Sequence, residues 1–303
     1  MSQEEMNFFQ RVISLPTLGI GVSTEYGAGH SKGALDPSEL YERRPEFAAF
    51  LEVGVETAVG LDEDVLRWVD QGRATTYHFL DVNLDEREDF EPAWLEEVRA
   101  GASRIKPAWM CGDAGLWHFG PRDRGHMLLL PPILSEDSAQ DMAEGIRRLR
   151  METGFEVLPE NPPGNFFLGD MHILEFFQRV CELADTGMCL DCAHLGMYQT
   201  IKGHEPLDFL DTFDWSRVVE MHVAGGTIRD HSGFLWVDDD HTTEVFEDTW
   251  QIFSYALERA ANLKAVVFEC ERNSIEGVLG GFERILELTK SSALNTELRE
   301  GVL

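Results

Sequence analysis

Val218-Val219-Glu220-Met221-His222-Val223-Ala224-Gly225-Gly226 reads as a buried strand: β-branched residues run through it, and its polar side chains, Glu220 and His222, come where a strand opens onto a site. Further on, Val237-Asp238-Asp239-Asp240-His241 offers a carboxylate and an imidazole two residues apart, in what reads as an acidic loop. Oxygen and nitrogen donors so placed are metal-ligand chemistry, provided other strands also end in such groups.

Working outward, eight short apolar runs recur: Leu18 to Ser23, Phe50 to Val55, Thr75 to Leu80, Ile105 to Cys111, Phe155 to Glu160, Gly187 to Asp191, Val218 to Val223 and Ala265 to Glu269. Helical patterns separate them, clearest over Glu91 to Ala100, Ser138 to Glu152, Met171 to Ala184, Thr243 to Asn262 and Glu276 to Leu288. Met142, Ile146 and Leu149 form a single apolar stripe on one of them. Pro37 and Asp62 mark the starts of shorter helices. Strand alternating with helix eight times over about 250 residues predicts an α/β fold, a single (β/α)8 TIM barrel. A doubly wound open sheet is the competitor, but no glycine-rich phosphate fingerprint follows the first strand. The barrel domain is expected over 1–290, with 291–303 a tail and Cys111 to Pro132 a loop over the mouth.

The 303 residues carry 55 Asp and Glu against 25 Lys and Arg, a formal charge of −30. Such a surface repels phosphate backbones and anionic membranes, so no nucleic-acid or membrane partner is expected. No apolar run approaches the ~20 residues of a membrane span, and Met1-Ser2-Gln3-Glu4-Glu5 is not a signal peptide. Five scattered cysteines argue against a disulfide framework and fit a cytoplasmic location; Cys189 and Cys192 read as buried thiols.

In a barrel of this kind the reacting groups sit at the carboxyl ends of the strands. Here those ends are unusually polar: His78, Asp113, Glu160, Asp191, His222 and Glu269, with His194 three residues beyond Asp191 and with Asp239 and His241 from the loop after the seventh strand. Singly, a strand-end His is more often hydrogen-bonded scaffolding and an Asp a helix cap. As a set, facing carboxylates and imidazoles are costly to bury without cations among them. Ligands without thiolates suit iron, manganese or zinc. His118 and His126 lie in the mouth loop and are expected to face solvent; His172 and His204 read as structural, and His231 as a neighbour of the site. Trp117, Phe119, Phe234 and Trp236 are candidates to line the mouth.

These residues resemble the multinuclear non-heme iron-dependent oxidative enzymes, which include the methanobactin biosynthesis oxidase. The resemblance is carried by Leu158-Pro159-Glu160-Asn161-Pro162, Cys189-Leu190-Asp191, Val219 to Gly225, Asp239-x-His241 followed by Trp250, and Val267-Phe268-Glu269-Cys270-Glu271. It implies a TIM barrel of the xylose-isomerase-like superfamily holding two or three irons in the Fe2+ and Fe3+ states. It further implies dioxygen as co-substrate, a ribosomally made (RiPP) precursor peptide with a cysteine as the commonest target, and a separate leader-peptide-binding partner. The ligands implied are His78, Glu160, Asp191, His222, Asp239, His241 and Glu269, with Glu160 bridging and Asp113, Asn161 and Glu271 supporting them. Two departures stand out: Gly54 occupies a position where that family carries a histidine, and His194 replaces an asparagine. The Asp191-x-x-His194 element also resembles the divalent-metal sugar isomerases and epimerases of the same superfamily, which is the alternative function.

Overall fold

The computed structural model describes residues 6–24, 34–122, 128–290 and 294. Its strands are β1 (Gly19–Thr24), β2 (Phe50–Val55), β3 (Ala74–Phe79), β4 (Met110–Asp113), β5 (Val157–Glu160), β6 (Met188–Asp191), β7 (Val218–His231), β8 (Phe234–Thr242) and β9 (Ala265–Glu269). Its helices are α1 (Phe8–Arg11), α2 (Pro37–Arg43), α3 (Glu63–Asp70), α4 (Pro92–Ile105), α5 (Glu136–Thr153), α6 (Ile173–Ala184), α7 (Cys192–Lys202), α8 (Glu247–Leu257) and α9 (Ile275–Thr289). β1 to β7 pair in order, all parallel, and β9 joins β7 to β1, closing an eight-stranded parallel barrel. The expected single TIM barrel is the observed fold.

Local chemistry explains the elements. Asp36 and Asp62 cap α2 and α3, and Ser135 caps α5, each accepting from a first-turn N–H. α5 ends at Gly154 in the left-handed conformation that glycine adopts without a Cβ penalty. At the amino-terminal end of the barrel, Phe8 and Val12 pack on Phe50, Trp109 and Ala265, so α1 plugs the floor. Arg11 fixes the plug: its Nε donates to Glu156 at 2.8 Å and its Nη1 to Asp185 at 3.0 Å.

Three expectations need correction. Ile105 ends α4 rather than opening a strand; Lys106 terminates the helix in a left-handed cap, Pro107 follows, and β4 begins at Met110. The segment bearing Asp239 and His241 is not a loop but β8, paired antiparallel with the outer half of β7 from Gly225↔Thr242 to His231↔Phe234. Its acidic residues are only half-buried, so the two-residue alternation of a strand is hidden under charge. The helix expected from Thr243 begins four residues later, at Glu247. α7, which is not among the clearest helical patterns of the sequence, follows β6 directly; buried on all sides from Cys192 to Gln199, it has no solvent-facing side to set up a helical period. His126 and nearly all of the expected tail fall outside the described residues.

Candidate metal centre

Each polar strand end turns inward at the carboxyl-terminal mouth. Glu160 closes β5 with its carboxylate between two imidazoles: Oε2 lies 2.9 Å from His78 Nε2 of β3 and Oε1 lies 3.0 Å from His222 Nδ1 of β7. His222 Nδ1 is also 3.5 Å from Glu269 Oε1 at the end of β9. Ligand atoms of Asp191, His222 and Glu269 converge, as do those of Asp113, Glu160 and His194. A second arc comes from β8, where Asp239 Oδ2 stands 3.0 Å from His194 Nε2 and 3.3 Å from His241 Nε2.

The neighbours decide which ring nitrogen faces inward. His194 Nδ1 lies 2.9 Å from the Asn161 carbonyl, which can only accept, so Nδ1 carries the proton and Nε2 is left for Asp239. Asn161 itself clamps β5 to β6, donating Nδ2 to the Asp191 carbonyl and accepting the Asp191 N–H. His241 likewise gives Nδ1 to Glu271 at 2.8 Å, and Ser23 donates to the other Glu271 oxygen at 3.1 Å. This is the arrangement by which a carboxylate or carbonyl orients an imidazole toward a metal. His241 adopts a left-handed backbone at φ 49°, a conformation costing about 1 kcal/mol. At the foot of the ribbon Gly225 is obligatory, because a Cβ there would meet the Thr242 carbonyl oxygen at 2.2 Å.

Burial governs the electrostatics. Burial pushes Asp191 up to about 8 and lifts Asp113 well above the carboxylate range. Burial would lower His78, but Glu52 and Glu160 carry it up to about 9. Burial would likewise raise Glu160 and Asp239; the facing imidazoles instead hold both carboxyls below their usual range. Glu220, deeper in the barrel, rises to about 8 through burial and the neighbouring Glu52. Asp113 Oδ1, Glu160 Oε1, Asp191 Oδ2, Asp239 Oδ1, Glu269 Oε2 and both ring nitrogens of His222 are sealed from water without a hydrogen-bond partner. Such atoms are rare in native proteins and mark a missing ion or water. Cations among these oxygen and nitrogen donors satisfy them together, so the residues fit metal binding.

All eleven residues singled out from the sequence meet here. Gly54 lines the same cavity, of about 90 Å3, opposite His78 in register and across the barrel from the β6 end that bears His194. His194 lines that same cavity from the opposite wall. Glu52 was missed, although one acid inside the apolar run Phe50-Leu51-Glu52-Val53 was a readable signal. His118 is held by Asp89 and the Gly120 carbonyl rather than facing solvent, and Trp117 is buried, donating to the Asp113 carbonyl. Phe119, Phe234 and Trp236 are exposed. His172 caps α6 and His204 contacts Gln199, both as scaffolding. All five cysteines are free and buried, and no helix of the described residues is long and apolar enough to cross a membrane.

A closed ring of eight parallel strands with helices outside it is the TIM-barrel class of fold. A xylose-isomerase-like protein of Mycobacterium smegmatis, solved with magnesium, superposes with a TM-score of 0.57 at 13% identity, over 93% of this chain and 99% of that one. D-psicose 3-epimerase of Clostridium cellulolyticum gives 0.51 at 11% identity, over 90% and 99%. Within that class, residues 27–278 match the model of the RiPP precursor modification enzyme family MbnB/TglH/ChrH, and the chain belongs to that family. A UPF0276 protein of Acaryochloris marina is 27% identical over 188 residues, 61% of this chain and 65% of its own length; the match thus spans just under two thirds of that relative.

Proposed function

We propose that this protein is a cytoplasmic multinuclear non-heme iron oxidase that uses dioxygen to modify a cysteine of a ribosomally synthesised precursor peptide, presented by a separate leader-binding protein. One observation carries the reading: a ring of buried oxygens and imidazole nitrogens left unpaired by the protein, in a member of a precursor-modifying family. His78, Glu160, Asp191, His194, His222, Asp239, His241 and Glu269 would hold the irons, which would supply one-electron redox power. Asn161 and Glu271 fix the tautomers of His194 and His241. Asp113, 3.6 Å from His194 Nδ1, faces the same interior and is suited to hold a proton there. Trp117, anchored to Asn83 and Asp113, keeps water from one side of the cavity.

Anaerobic loading with ferrous ion should leave two irons per chain, and oxygen uptake should depend on a cysteine-containing precursor peptide. Less than one iron per chain, with zinc or manganese retained instead, would refute it. The isomerase alternative, favoured by the Asp191-x-x-His194 element, requires a redox-silent ion and turnover without oxygen.

A further inference from the structure

The barrel interior holds a second donor set beneath the ring; it shares His222 with the ring, and its Glu52 borders the same cavity. Glu52 of β2, Cys111 of β4, and Glu220 and His222 of β7 each present one ligand atom, and the four atoms lie within 4.8 Å of one another. All four side chains are buried. Cys111 Sγ and His222 Nε2 approach the same oxygen, Glu52 Oε2, at 3.1 and 3.2 Å. Trp109 Nε1 donates to Glu220 Oε2 at 2.6 Å, which aims the other oxygen, Oε1, into the cluster with no partner. His222 Nε2 is equally without a hydrogen bond.

A proton shared by the two carboxylates would quiet one oxygen and leave the imidazole nitrogen unmatched. A single cation satisfies all of them. The set also contains what the ring lacks, a thiol. Sulfur, imidazole and carboxylate in a closed group of four suit a tetrahedral ion with no open position, the chemistry of structural zinc.

We propose that Glu52, Cys111, Glu220 and His222 form a closed structural site for a thiophilic divalent cation of the zinc type, separate in chemistry from the ring above. Filling it sends the Cys111 thiol proton and the Glu220 carboxyl proton to solvent, together with the His222 ring proton when that imidazole ligates through both nitrogens, and moves no electrons. His222 then faces the inner ion through Nε2 and the ring through Nδ1, so the inner ion sets the tilt of a ring ligand. The inference stands whatever reaction the ring performs.

The test uses the full chain produced in cobalt-supplemented medium, with no peptide added. Thiolate-to-cobalt charge-transfer absorption is expected in the near ultraviolet. It should persist in Asp239→Asn and in Cys189→Ala, and disappear in Cys111→Ser together with one cobalt per chain. Should Cys111→Ser fail to fold, X-ray absorption of the zinc-loaded wild type decides, with a sulfur neighbour expected at about 2.3 Å. A fully loaded wild type with neither band nor sulfur neighbour overturns the proposal. So does a band that survives Cys111→Ser or is lost in Cys189→Ala.

Discussion

The two ends of the barrel handle buried charge in opposite ways. At the floor, the Arg11 guanidinium meets Glu156, Asp185 and the Met6 and Asp185 carbonyls, and Glu156 is further held by Thr186. Those charges are answered by protein groups, so the cluster is complete in the bare chain. At the mouth, oxygens of Asp113, Asp191, Asp239 and Glu269 are sealed away unanswered. A buried network closed on itself is scaffolding; one left open at several atoms is waiting for something to enter it.

Breaking each end should therefore give different signatures. The largest effect is expected at Glu160, whose two oxygens serve different imidazoles. Glu160→Gln should abolish retention of the ring metals through gel filtration, leaving at most one inner ion per chain by elemental analysis, while the barrel stays folded. At the floor, Arg11→Ala should cost about 3 kcal/mol in urea unfolding, the lower end for a broken buried pair, because Arg150 remains 3.6 Å from Glu156. Metal content should not change.

The pH response of the metal-free chain sharpens the contrast. His78 at about 9, and Asp191 and Glu220 at about 8, hold protons in the folded state that the unfolded chain releases near 6.5 and 4. Bound protons in excess on the folded side mean that stability falls as pH rises, here up to about 9. Glu160 and Asp239, held below their usual range, act oppositely: their contribution is present above about 4 and lost as pH falls further. Melting temperature should therefore peak in mildly acidic buffer without metal, whereas metal affinity should climb with pH as ligands shed protons. The smallest expected effect is a gain: Gly54→His would set an imidazole beside His78, and metal titration should report affinity tighter by about tenfold.

The barrel was legible because β-branched runs survive in a parallel sheet buried on both faces, as in Val218 to Val223 and Ala265 to Glu269. The strand ends were legible for the same reason, since Glu160, Asp191 and Glu269 interrupt apolar runs at their last residue. What escaped lies where burial and pattern disagree. β8 carries acids on a partly solvated ribbon, and α7 is buried all round from Cys192 to Gln199. Cys111 closes a run that reads as plain core, and only the fold brings β2, β4 and β7 around one point.

The β7–β8 ribbon divides the labour of assembly. His78, Glu160, Asp191, His222 and Glu269 are positioned once the barrel closes, but Asp239 and His241 arrive on a ribbon docked through Asn165, which both donates to and accepts from the Val237 backbone. Its ring side chains are thus inherited separately from the barrel's. A lineage can rewrite one arc of the centre by editing a single hairpin, without renegotiating how the barrel folds.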